Sequence, residues 1–123
     1  ARCNGKTLKT RDGVSLGNAR LLASQRVLER QKGIGALPSA QFKFINSIAY
    51  RMALVALDQF DATISLATKN DWDTAAAELI VTEAGGRVTA PDGSALTYNQ
   101  ADTKHTGVVA AAPALCQEIL DRL

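Results

Sequence analysis

Trp72-Asp73-Thr74-Ala75-Ala76-Ala77-Glu78-Leu79-Ile80-Val81-Thr82-Glu83-Ala84-Gly85-Gly86 decides the reading of this chain, because it holds both ends of one helix. Just upstream, Asn70 and Asp71 carry side-chain oxygens that accept the exposed N–H groups of a first helical turn, so either can cap it. Asp73 then lies in the first turn, where the helix dipole favours a carboxylate. Gly85-Gly86 ends the helix, since glycine takes the left-handed cap conformation without a Cβ penalty. Ala76, Leu79, Ile80 and Ala84 recur at helical spacing and predict the buried face. Capping accounts for one acid. Asp73 has a second reading, as a ligand to a hard cation. Magnesium takes one or two carboxylates and fills its other positions with water and phosphate oxygens.

Downstream of this helix, Arg87 to Ala90 reads as a strand, Pro91-Asp92-Gly93 as a turn, and Ala95 to Tyr98 as its hairpin partner. Val108 to Ala111 is a short apolar strand. Pro113 suits the first turn of a last helix whose buried stripe is Leu115, Ile119, Leu120 and Leu123. Upstream, Asn4-Gly5 closes a hairpin and Asp12-Gly13 is a second turn. Leu21-Leu22-Ala23 is a buried strand, and a helical stretch runs from Ser24 to a stop at Gly33. The segment 33–39 is a loop. Apolar residues from Phe44 to Leu57 predict a helix over 42–60. Phe60 to Leu66 alternates like a strand. This alternation predicts a layered α/β sandwich with a mixed, mostly parallel sheet.

The chain of 123 residues is 46% apolar and 21% charged, the balance of a globular domain able to build a core. One domain over 1–123 is expected. A net charge of +2 does not argue for nucleic acid. Arg2, Lys6, Lys9 and Arg11 read as a solvated edge. Cys3 and Cys116 have no metal-binding spacing; they fit a reduced, cytoplasmic chain or a single disulfide. No run approaches the roughly 20 apolar residues of a membrane-spanning helix. The chain opens at Ala1, which fits methionine removal or an internal start.

Nucleophile systems are missing. His105, the only histidine, sits in a polar segment without a serine or cysteine partner and reads as a surface loop residue. Ser24, Ser47 and Ser65 lack a nucleophile-elbow context. Gly33-x-Gly35 is not a dinucleotide fingerprint.

The Trp72–Gly86 stretch resembles the C-terminal signature of the inositol monophosphatase family, W-D-x-A-A followed by an apolar pair and E-A-G-G. Arg51 to Ile64 is similar to the family's L-x-x-V-A-x-G-x-x-D-A segment. Leu22-Ala23-Ser24 resembles its strand ending in A-S-R, with Gln25 in place of the arginine. Asn4-Gly5 resembles its N-G turn. The whole chain therefore resembles the second half of a family member.

The resemblance implies a magnesium-dependent, usually lithium-sensitive phosphomonoesterase in which Asp73 ligates a metal. It implies that Trp72 wedges the loop that aims Asp73, and that the alanines let the helix mouth approach metal and phosphate closely. The family's metal-binding glutamate and its D-P-[IL]-D-G-[ST] segment are not in this chain. No catalytic residue is therefore assigned to it, and the 123 residues alone are expected to be inactive. Asn46 stands where the family often has glycine, with Ser47 after it; both are expected to contact substrate. Lys69 lies in the stretch where inositol phosphatases place a glutamate. It favours a bisphosphate such as 3'-phosphoadenosine 5'-phosphate over inositol monophosphate. The expected partner is the missing N-terminal half or a second copy. The alternative is a non-catalytic binding or self-assembling module with the phosphatase half-fold.

Overall fold

A computed structural model describes residues 1–30 and 40–123. Strands β1 (Arg2–Cys3) and β2 (Lys6–Thr7) form the expected hairpin. Asn4 and Gly5 supply its two consecutive left-handed residues, with φ of 49° and 79°. A turn of 3-10 helix over Leu16–Asn18 leads into β3 (Arg20–Leu22), α1 (Gln25–Glu29), β4 (Gln41–Lys43) and α2 (Ile48–Ala56). Next come β5 (Ala62–Ser65), β6 (Lys69–Asn70), α3 (Asp71–Glu83) and β7 (Arg87–Thr89). The chain closes with β8 (Lys104–His105), β9 (Val108–Ala111) and α4 (Pro113–Leu120).

The main sheet runs β4-β3-β5-β9-β7. β3 pairs in parallel with both β4 and β5, whereas β9 is antiparallel to both β5 and β7. Only β9 is therefore reversed, and the sheet is mixed with the other strands sharing one direction. A separate ladder joins β6 to β8.

Two apolar layers follow from the period of two along a strand. On β9, Val108 and Ala110 face a cluster with Ile48 and Met52 of α2, Ala77 and Val81 of α3, and Val88. Val109 and Ala111 face the opposite cluster, with Leu28, Leu115, Cys116 and Ile119. The sheet is thus covered on both faces, as sheets with parallel crossovers require.

Several expectations are corrected. Residues 41–43 form strand β4 rather than the start of a helix, and α2 begins only at Ile48. Ala95 to Tyr98 is not a strand, although the turn before it closes through Ala90 N–H donating to the Ser94 carbonyl at 2.9 Å; β7 pairs with β9 instead. On α3 the buried residues are Thr74, Ala77 and Val81, while Leu79 and Ile80 face outward. Alanines on both sides of this helix blurred the period. The predicted stop at Gly33 and the loop 33–39 lie outside the described residues. Cys3 and Cys116 are both free thiols. Among the described residues, no helix is long and apolar enough to cross a membrane.

Two contacts fix the frame around the site. Past α3, the Gly85 N–H donates to the Thr82 carbonyl and the Gly86 N–H to Val81, each at 2.9 Å. Gly85 is left-handed (φ 83°), and a Cβ on Gly86 would lie 2.5 Å from Val81 Cγ1 and 2.9 Å from Thr10 Cγ2. Both glycines of the signature are thus required, the first by conformation and the second by packing. The second contact is Asp61, a buried carboxylate before β5. It accepts from Arg20 N–H at 2.7 Å, Nε at 3.0 Å and Nη2 at 2.8 Å. Burial pushes the Asp61 carboxyl up, but the Arg20 hydrogen bonds outweigh it and leave it below its ordinary range.

Candidate functional site

The mouth of α3 is built from a loop-and-ladder frame. β5 runs through Leu66-Ala67-Thr68 into β6, which pairs Lys69 with His105 and Asn70 with Lys104. Asn70 is the N-cap residue of α3. Asp73 Oδ2 accepts the Asn70 backbone N–H at 2.9 Å, the return half of a capping box. This bond fixes the direction of the Asp73 side chain. The other carboxylate oxygen, Oδ1, makes no hydrogen bond among the described residues.

Asp71 has a different task. Its Oδ1 lies 2.8 Å from His105 Nε2, and its Oδ2 accepts the Asn99 N–H at 3.0 Å. The Asp71 N–H donates to the Thr103 carbonyl at 3.0 Å. His105 is 9% exposed, so it is a buried brace and not the surface loop residue its polar neighbours suggest. Tyr98 meets its ring edge-on, with centroids 5.3 Å apart, and donates its hydroxyl to Glu78. Burial, then that hydrogen bond to Glu78, pushes the Tyr98 phenol above its ordinary value. These contacts tie the segment 98–105 to the first two turns of α3, and so hold the helix mouth.

Trp72 corrects another expectation. It is 75% exposed and does not pack as a wedge among the described residues. Asp73 is positioned by the capping box instead.

Beside the helix mouth lies a cleft of ≈ 490 Å³. Asn46, Ser47 and Lys69 all line it, so the fold brings together the three residues expected at the substrate. Ser47 caps α2, its Oγ accepting the Tyr50 N–H at 3.3 Å. The left-handed conformation of this turn falls on Ser47 (φ 73°) and not on Asn46. Apolar walls come from Val27, Phe44, Ile48 and Leu66. Arg51 also lines the cleft, and sequence reasoning passed over it. The available signal was a charge three residues after Ile48, inside the buried stripe of an apolar helix.

Among the described residues, no group of three or more histidine, cysteine or acidic side chains could hold a metal ion. Asp73 offers one aimed carboxylate and a free oxygen, which suits a single ligand. The residues described here do not make a magnesium site on their own.

No curated protein sequence matches the chain. Solved structures do. It resembles an inositol monophosphatase from Anabaena (Nostoc) with TM-score 0.77 and 20% identity, over 97% of this chain and 48% of that one. Staphylococcal IMPase-II gives TM-score 0.79 and 21% identity, over 93% and 46%. An inositol monophosphatase from Zymomonas mobilis gives TM-score 0.77 and 23% identity, over 97% and 47%. At these identities the likeness is one of fold, and the chain spans about half the length of the proteins it matches. The family model described as "Inositol monophosphatase family" matches residues 1–122, and with that match the capped W-D helix and the E-A-G-G ending place this chain in the inositol monophosphatase family.

Proposed function

We propose that this chain is the C-terminal half of a magnesium-dependent phosphomonoesterase acting on a small phosphorylated metabolite, of the inositol monophosphate or 3'-phosphoadenosine 5'-phosphate type. The observation that carries the reading is Asp73. It stands at the head of the W-D helix, held from one oxygen by Asn70 N–H, with the other oxygen unbonded among the described residues. In the complete protein Asp73 supplies one metal ligand, and carboxylates outside this chain supply the others. Asn46, Ser47 and Lys69 line the cleft where the metabolite sits. Lys69 suits a second phosphate better than a neutral polyol.

The 123 residues alone are inactive in this reading. The exposed Tyr50, Trp72, Leu79 and Ile80 on α2 and α3 supply apolar surface for the missing half to cover. The alternative is a non-catalytic binding module with the phosphatase half-fold. Phosphate release measured with this chain joined to a family N-terminal half separates the two. Magnesium-dependent turnover that disappears in Asp73→Asn supports the enzyme, and none in the joined protein supports the module.

A further inference from the structure

Asp73 is aimed by its hydrogen bond from the Asn70 N–H, so its direction is only as fixed as that N–H. Asn70 lies on β6, which pairs with β8 over two residues, Lys69 with His105 and Asn70 with Lys104. A two-stranded ladder is marginally stable at best, even when it is longer than this. The mouth of α3 therefore needs a brace from outside the ladder.

His105 and Asp71 supply it. His105 Nε2 lies 2.8 Å from Asp71 Oδ1. A carboxylate only accepts, so Nε2 carries the hydrogen. His105 is buried and the Asp71 side chain only 15% exposed, so water competes little for the contact. Asp71 Oδ2 accepts the Asn99 N–H, and the Asp71 N–H donates to the Thr103 carbonyl, each at 3.0 Å. Asn99 is held left-handed (φ 58°) where it makes this bond. One residue of the first turn of α3 is thus bonded to three points of the segment 99–105. Both oxygens of Asp71 are taken by this brace, whereas Asp73 keeps Oδ1 unbonded among the described residues.

We propose that His105 is a positioning residue for the metal ligand Asp73. Through Asp71 it fixes β8 against the first turn of α3, and β8 in turn fixes the Asn70 N–H that aims Asp73. His105 touches neither metal nor substrate. This rests on the reading of Asp73 as a metal ligand and adds the residue that keeps it aimed. Loss of the brace lowers metal affinity as well as stability.

The test is metal binding without turnover. Magnesium is titrated by calorimetry into the chain joined to an N-terminal half, with no substrate. Binding lost in Asp73→Asn marks the metal that Asp73 holds. His105→Leu fills the space of the ring without a donor, and is expected to weaken that metal about tenfold or more, as loss of an outer partner does. His105→Gln offers an amide N–H to Asp71 and is expected to restore most of the affinity. Asp61→Ala, destabilised at its clasp with Arg20, is expected to bind like wild type. Wild-type affinity in a folded His105→Leu variant overturns the proposal. So does an equal loss in Asp61→Ala, which marks an effect of stability alone. Amide hydrogen exchange of the wild-type 123-residue chain needs no variant to fold. The Asn70 and Asp71 N–H groups are expected to exchange on the order of a hundredfold slower than in an unfolded chain, and exchange at the unfolded rate overturns the proposal. Binding indifferent to Asp73→Asn sinks the ligand reading and this inference with it; binding that needs Asp73 but not His105 sinks this inference alone. Binding that needs both, in a joined protein that releases no phosphate, keeps the inference and sinks the enzyme reading.

Discussion

Replacing Asp61 by alanine removes the clasp that joins β3 to β5. Asp61 is 2% exposed and accepts three hydrogen bonds from Arg20, one of them from its backbone N–H. Breaking a buried ion pair from one side costs roughly 3–5 kcal/mol. The Arg20 side chain is 31% exposed and also donates to the Asp58 carboxylate at 3.1 Å, so water and Asp58 recover part of its loss. The expected cost is therefore about 3 kcal/mol, near the low end of that range. With a urea slope of about 2 kcal/mol/M, the unfolding midpoint falls by about 1.5 M.

Urea unfolding of the 123-residue chain, followed by circular dichroism, measures the shift. A loss below about 1 kcal/mol would refute the reasoning, because a surface ion pair is worth that little. The pH dependence gives a second check. The folded carboxyl sits below its ordinary pKa, so its contribution is complete above about pH 4. That contribution is lost as pH falls through the depressed folded value. The gap between wild type and Asp61→Ala should shrink in strong acid; an undiminished gap would show that the charge is not its source.

Gly86→Ala places a Cβ 2.5 Å from Val81 Cγ1 and should cost about 1–3 kcal/mol in the same assay. Asp73→Asn keeps an oxygen for the Asn70 N–H, so stability should move by less than about 0.5 kcal/mol. In the joined protein the same change should abolish phosphate release, and wild-type activity there would remove Asp73 from the metal site. His105→Ala leaves Asp71 without its buried partner and should cost about 2 kcal/mol; unchanged thermal unfolding would mean that the brace adds nothing.

The parts legible in the sequence were those with a local cause. Asn4-Gly5 forms its hairpin, Val108–Ala111 is β9 to the residue, and Pro113 opens α4. Gly85-Gly86 ends α3 by conformation and packing that only glycine allows. What stayed hidden was decided by distant contacts. The helical stripe that begins at Phe44 carried the predicted helix back to residue 42, and pairing with β3 makes residues 41–43 a strand. His105 looked exposed because its neighbours are polar; Asp71 and Tyr98, far along the chain, bury it. The two acids of the opening helix divide their work in a way spacing does not reveal. Asp73 takes the cap's backbone N–H, and Asp71 ties down Asn99 and, on β8, His105. Arg51 was visible only as a charge inside an apolar stripe, which does not show that it lines the cleft.

The most direct test of the central claim is phosphate release, with magnesium present, from the 123-residue chain alone and from the chain joined to an N-terminal half. Release only from the joined protein is the predicted result, since this chain supplies a single aimed carboxylate and no metal cluster among its described residues. Robust magnesium-dependent release from the 123 residues alone would contradict the account.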